Sequence, residues 1–384
     1  GAEEDFLTIC VDQTLRSFEC VMGCQDREDR SFCIGCFDAM QDPIPLCSCD
    51  DLQKINTNVN ANYELQNDID CSDTVNWDDG NGGDAEGFKP IGNLGNEFSG
   101  FFNGQGHVIR NLFINRPGIE AIGLFSFTDT NSEIKNVGVE GGRIIGGAKT
   151  GSLVGNKVGV ISESFSTVDV SGSSNVGGLA GFSIGPITHS YASGSVSGNT
   201  KVGGLVGFSM GPITNSYASG SVSGNSDVGG LIGSNRFVVS GSYASGDVSG
   251  TGNLVGGLVG ISRGTIINSY ASGDVSGNWQ VGGLLGKNEK STGIITNSYI
   301  SGRVSGKGRV GGLVGGNDRG GSISNSFWDT ESSERSSSAA GEGKTSAQLK
   351  DQSSYPGSWD FENIWSISPN VNEGYPHLQA FDQS

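Results

Sequence analysis

Short apolar positions recur along this chain at a nearly fixed spacing, and glycine or small polar residues flank each of them. Residues 202–227 read as three short pieces: Val202-Gly-Gly-Leu-Val-Gly207, an alternating β-prone stretch over residues 213–219, and Gly220-Ser-Val-Ser-Gly224. Pro212 and Asn225-Ser-Asp227 punctuate them. Alternation over a few residues argues for strand. A helix is disfavoured because no 3.6-residue apolar period survives and glycine breaks every segment. The unit V-G-G-L-x-G starts at Val176, Val202, Val228, Val255, Val281 and Val310, in steps of 26, 26, 27, 26 and 29 residues. A fixed period in the twenties marks a solenoid, in which each unit buries its apolar side only against its neighbours. Three strands and three turns per unit predict an all-β fold, a parallel β-helix of three-strand coils. Coils stack about 4.8 Å apart, so roughly eleven coils in residues 51–330 predict a rod about 50 Å long.

Stacking places equivalent residues in columns. Leu179, Leu205, Leu231, Leu258, Leu284 and Leu313 form one inward column, and Val196, Val222, Val248, Val275 and Val304 another. Ser190, Ser216, Ser242, Ser269, Ser298 and Ser326 predict an inward hydroxyl ladder bonded to backbone or to itself. The glycines are expected to supply positive φ and close strand approach at the corners. An aromatic column runs through Phe165, Tyr191, Tyr217, Tyr243, Tyr270, Tyr299 and Phe327. Parity with Ile213 puts it inside as a buried stack. Parity with Ala218 and Val222 puts it outside, as a ladder of flat rings able to stack on sugars. A structural stack is the preferred reading, since Phe replaces Tyr at both ends.

Composition fits a thin core. Only 34% of the 384 residues are hydrophobic and 65 are glycine, so large aliphatic side chains are few and a compact multilayer core is not expected. The chain divides into a head (1–50), the repeat region (51–330) and a closing segment (331–384) that is polar at first and aromatic over residues 359–378. All eight cysteines (Cys10, Cys20, Cys24, Cys33, Cys36, Cys47, Cys49 and Cys71) precede residue 72. An even number crowded into one segment predicts disulfides formed in an oxidising compartment. Cys33-x-x-Cys36 and Cys47-x-Cys49 leave a metal knuckle as the rival reading. No apolar run long enough to span a membrane as a helix occurs, so no membrane insertion is expected. The opening Gly1-Ala2-Glu3-Glu4-Asp5 lacks the parts of a signal peptide and fits a mature end.

Charge is uneven. Residues 1–100 carry 21 acids and 5 bases, while residues 101–330 carry 12 acids and 15 bases. No basic stripe exists to neutralise phosphates, so nucleic acid is excluded as a partner. An acidic head and a mildly basic stretch can instead attract each other between copies.

The repeat Val202-Gly-Gly-Leu-Val-Gly207 resembles the GLUG motif of microbial surface proteins. Phe102-Asn-Gly-Gln-Gly-His-Val-Ile-Arg-Asn-Leu-Phe-Ile114 is similar to the opening coils of such proteins. Phe327-Trp-Asp-Thr-Glu-Ser-Ser333 and Trp359-Asp-Phe-Glu-Asn-Ile-Trp365 are similar to their closing segment. The resemblance covers residues 51–380 and implies a secreted or surface-attached, adhesin-like β-helix without implying an activity. The cysteine-rich head lies outside it.

Catalytic constellations are scarce. His107, His189 and His377 are far apart in sequence and none accompanies a nucleophile motif such as G-x-S-x-G. Asp227, Asp247 and Asp274 share no single column and read as solvated turn residues. No catalytic residue is assigned, and an enzyme is not expected. A β-helix polysaccharide-degrading enzyme is the rival reading, and it needs converging carboxylates. Asp78, Asp79, Asn81, Asp84 and Glu86 lie on a glycine-rich loop whose oxygens suit calcium, without the EF-hand spacing. No other cofactor is expected. Thirty asparagines occur without one Asn-x-Ser/Thr sequon, which leaves O-linked sugars as the only glycans to expect. The expectation is an extracellular structural or adhesive β-solenoid. Strand edges at its two ends favour head-to-tail self-association into a fibre, with the head of one copy on the C-terminal part of the next. A glycan-binding module using the ladder Tyr191, Tyr217, Tyr243, Tyr270 and Tyr299 is the other alternative.

Overall fold

The computed structural model describes residue 37 and residues 39–78, 85–289, 291 and 293–382. Its strands stack in parallel into five sheets that wrap one long core. One coil shows the plan. Strands Thr200–Gly203, Val206–Ser209, Ile213–Thr214, Tyr217–Ala218 and Val222–Gly224 form sides one to five. Each pairs with its equivalent one coil on, as Val202 with Val228, Val206 with Ile232, Ile213 with Val239, Tyr217 with Tyr243 and Val222 with Val248. The fold is thus an all-β parallel solenoid, and its coils resolve more finely than the three pieces read from sequence. The first piece divides between Gly203 and Val206. The second divides at Asn215-Ser216, where Asn215 has φ 47°.

Sides three and four hold eleven strands each, but sides two and five hold eight and side one seven. Closed coils therefore number about eight rather than eleven. In the first turns, a helix (Cys49–Lys54) and two 3₁₀ turns replace the missing sides. Ser48 caps that helix by accepting the Asp51 N–H. Side three already begins at Ile44–Leu46, paired with Tyr63–Leu65.

The leucine and valine columns lie inside, each residue 0 or 1% exposed. The serine column is also buried, and it works as a relay. Ser216 Oγ accepts the Ser190 N–H at 3.2 Å and donates to the Thr214 carbonyl at 2.9 Å. The same pair of bonds repeats at Ser242, Ser269, Ser298 and Ser326. Each hydroxyl satisfies two backbone groups at a corner the sheet ladder cannot reach.

The repeat glycines act differently from expectation. Positive φ is supplied at Lys201, Asn215, Asp227, Leu254 and their equivalents, while Gly203, Gly204 and Gly207 are not left-handed. Glycine is needed for room. A Cβ on Gly204 would lie 2.1 Å from the Gly230 carbonyl oxygen and 2.7 Å from the Ala218 Cβ. Opposite walls approach so closely here that side four faces inward with alanine in the central coils.

The C-terminal end of the stack is covered. Glu342–Lys344 adds a parallel strand to Phe327–Asp329. Ser338 Oγ accepts the N–H groups of Leu313 and Val314, and Arg335 Nε donates to the Val304 carbonyl. Edge groups that would otherwise be open to another chain are thus occupied by this one.

Candidate functional site: the aromatic ladder and its cap

Asn215 and its equivalents decide where the aromatic column points. A left-handed residue between Ile213–Thr214 and Tyr217–Ala218 resets the in-out alternation. Ser216 and Ala218 are buried in the core, and Tyr217 between them faces outward. Asparagine tolerates this conformation better than most residues. His189 (φ 48°) and Glu163 (φ 49°) hold the same place in neighbouring coils.

The result is a ladder on the outer face of side four. Phe165, Tyr191, Tyr217, Tyr243, Tyr270 and Tyr299 stack in series, with centroids 4.7 to 5.2 Å apart and planes 4 to 12° from parallel. Strand spacing sets this distance and brings all five tyrosines into one array. Ring faces are turned on one another, so edges and hydroxyls are what remain for solvent. Phe165 lies in register with Gly138, where a Cβ would meet its ring.

The closing segment roofs the C-terminal half of the ladder. Phe381 stands edge-on across Tyr217 and Tyr243, at 5.4 and 5.1 Å. Trp365 packs on Tyr270 and Tyr299, and Trp359 on Tyr299 and Phe327. A short antiparallel hairpin, Trp365–Ser366 with His377–Leu378, holds these side chains in place. Tyr299 donates its hydroxyl to the Pro376 carbonyl and accepts from Asn372 Nδ2. Together they make a second apolar cluster, separate from the solenoid core. Burial deepens toward the cap, and the phenol acidities follow it. Desolvation raises Tyr191, pushes Tyr217 up to about 12, and carries Tyr243, Tyr270 and Tyr299 higher still, with each neighbouring phenol adding to the effect. The ladder stays neutral at any ordinary pH.

The other candidate residues are dispersed. Asp79, Asn81 and Asp84 of the acidic loop lie outside the described residues; Glu86 forms an ion pair with Arg116. Cys49 and Cys71 form a disulfide, and Cys47 is also disulfide-bonded. Cys10, Cys20, Cys24, Cys33 and Cys36 lie outside the described residues. His107 Nδ1 is 3.2 Å from Asp68, which also takes Arg110. His189 meets Asn215, and His377 Nε2 is 3.0 Å from Asp382. Asp247 and Asp274 do share a column, each accepting the backbone N–H of the next coil, while Asp227 sits apart on side one.

Two columns escaped the sequence reading. Seven residues after each Val-Gly-Gly start, or its equivalent Thr150, come Lys157, Ser183, Ser209, Asn235, Ser262 and Asn288, all buried. Lys157, Ser183, Ser209 and Asn235 each donate to the carbonyl two residues on. The signal was a column that is never apolar. On the outside of the same strands, Phe182 and Phe208 meet edge to face, with Lys149, Lys201 and Arg236 over their rings.

The family description "The GLUG motif" matches residues 198–223, 251–276 and 277–305. Each match begins near one coil corner and runs through the leucine and serine columns. Three of the chain's coils therefore match the GLUG motif. Halomucin of Haloquadratum walsbyi is 35% identical over 141 residues, 35% of this chain and 2% of halomucin. A Gly-rich protein of Evansella cellulosilytica, described as a candidate membrane protein, is 38% identical over 102 residues, 26% of this chain and 11% of that one. The chain thus spans a small part of either relative. Among solved structures, a Bacteroides ovatus protein described as a candidate immunoglobulin A1 protease aligns over 90% of this chain and 94% of its own, at 21% identity and a TM-score of 0.43. No helix among the described residues is long and apolar enough to cross a membrane.

Proposed function

We propose that this GLUG solenoid is an extracellular structural and adhesive element, a subunit of a homopolymeric fibre rather than an enzyme. One observation carries the structural reading: the ladder spends its ring faces on itself and its edges on the chain's own cap. A sugar platform needs free ring faces, and this array offers edges. The disulfide Cys49–Cys71 supports an oxidising compartment. The histidines support a non-catalytic role, since each contacts a carboxylate or amide in a different part of the structure. Self-association is supported by the charge difference between residues 1–100 and the mildly basic stretch 101–330. A heterologous contact between these parts, if its rotation does not close into a ring, makes a filament. Sedimentation velocity and electron microscopy at low and high salt test the reading. Salt-sensitive oligomers and linear particles are the expected result, and monomer at every concentration overturns it.

A further inference from the structure

An exposed apolar patch lies on the outer face of side two and the corner that follows it. Ile184, Met210 and Phe237 are 44, 39 and 50% exposed. Ile184 and Met210 occupy one column, directly after the paired Ser183 and Ser209. Phe237 follows Arg236, whose N–H donates to the Ser209 carbonyl of the preceding coil. Phe182 and Phe208 floor the patch from the neighbouring outward column. Soluble proteins seldom leave such neighbours bare without a partner.

Cations frame this patch. Lys201 Nζ and the Arg236 guanidinium each lie 5.0 Å from the Phe208 ring centre, and Lys149 Nζ lies 5.6 Å from that of Phe182. Lys149 is paired with Glu120. Lys201 has Asp227 nearby, a half-buried carboxyl that burial holds above its usual range. Arg236 has no carboxylate within ion-pair reach among the described residues. A partner for this surface must bring apolar side chains together with excess negative charge. The C-terminal end of the stack is a poorer acceptor, because residues 331–384 carry eight acids and three bases.

Residues 1–36 have the required chemistry. They hold eight acids and three arginines, interleaved with Phe6, Leu7, Phe18, Val21, Met22 and Phe32. We propose that the cationic, aromatic face around Phe208, Met210 and Phe237 is the docking surface for residues 1–36 of a second copy. This rests on the fibre reading and makes the contact head to side. Each copy still offers one donor and one acceptor, which is the heterologous arrangement a filament needs.

The test uses the full chain and its Met210→Asp, Phe237→Asp and double variants. All alter exposed positions, and circular dichroism and melting temperature confirm that they fold. Self-association is followed by sedimentation velocity. A mixture of isotopically light and heavy chains is joined by a zero-length carbodiimide cross-linker and mapped by mass spectrometry. The expected result is light-to-heavy cross-links from Lys201 to carboxylates in residues 1–36, and on the order of tenfold weaker association in the double variant. Association that the variants leave unchanged overturns this docking face and spares the fibre reading. Monomer throughout overturns both. Cross-links confined within single chains assign the face to the chain's own head. Binding to vesicles containing phosphatidylserine, lost in the variants without self-association, assigns it to an anionic lipid surface. Either of these last results overturns the proposal.

Discussion

Tyr375 donates its hydroxyl to Asp329 Oδ2 at 2.6 Å, joining the roof of the aromatic ladder to the second-to-last strand of side four. Asp329 is fully buried and takes three further donors: Ser346 Oγ at 2.6 Å and the N–H groups of Glu331 and Ser332 at 2.8 and 3.1 Å. One carboxylate therefore fixes the turn that leaves the solenoid, the start of the short helix Ser346–Leu349 and the cap. Trp359 and Trp365 are dry only while that cap is seated.

Asp329→Ala leaves these donors without their acceptor. Each buried bond to a charged group is worth about 1.5–3 kcal/mol, so the cap should detach while the coils persist. Tryptophan emission should shift to the red and limited proteolysis should cut within residues 331–382, with the β-sheet signal unchanged. Emission and cleavage like those of the natural chain would show that apolar packing alone holds the cap.

A repeat glycine and one in the closing segment should separate by the room each needs. Gly204→Ala places its Cβ 2.1 Å from a backbone oxygen that the next coil holds in register. The loss should lie in the upper range for single substitutions, about 3 kcal/mol or more. Gly357→Ala meets nothing within 4 Å and should stay within about 0.5 kcal/mol. Denaturant unfolding of the two variants makes the comparison, and equal losses would remove close approach as the reason for the motif.

The disulfide Cys49–Cys71 closes a loop across a sequence separation of 22 residues, around the first turns of sides three and four. Replacing both cysteines by serine should cost about 3 kcal/mol. The loss should be local, because a solenoid couples mainly to nearest neighbours. Hydrogen exchange should quicken over residues 44–70 and stay unchanged over residues 176–316. Uniform acceleration along the chain would contradict local coupling.

Much of this was legible in the sequence, for a specific reason. A 26-residue step fixes register, so the leucine, valine and serine columns could be named before any coordinates. What failed depended on single backbone angles. Lys201, Asp227 and Leu254 are left-handed, and nothing in those residue types announces it. The two extra sides come from breaks at Gly204-Leu205 and at the left-handed Asn215. The aromatic column was ambiguous for the same reason, since Asn215 alone inverts the alternation between Ile213 and Tyr217. The cap was hidden by distance: Phe381 lies over Tyr217 across 164 positions of chain, with no local pattern linking them.

Lys157 gives the sharpest solution test, because it occupies a buried place that serine or asparagine holds in later coils. Its Nζ donates to the Gly159 carbonyl at 2.5 Å and approaches Ser183 Oγ at 3.4 Å, and both partners are neutral. Burial lowers its ammonium from the ordinary 10.5 to about 7. Above pH 10.5 neither folded nor unfolded chain carries this proton. Between pH 10.5 and 7 the unfolded chain binds it and the folded chain does not, so stability falls as pH falls through that window. Below pH 7 both bind it and the loss is constant, on the order of 5 kcal/mol at 1.36 kcal/mol per pH unit. Lys157→Asn installs the residue found at Asn235 and Asn288 and removes the titration. The ladder tyrosines are common to both chains and cancel in the difference. Relative to the variant, the natural chain should lose several kcal/mol between pH 10 and 7 and nothing further toward pH 5.5. Denaturant unfolding at these pH values measures the gap, and a gap independent of pH would mean that Lys157 is charged in the folded chain throughout.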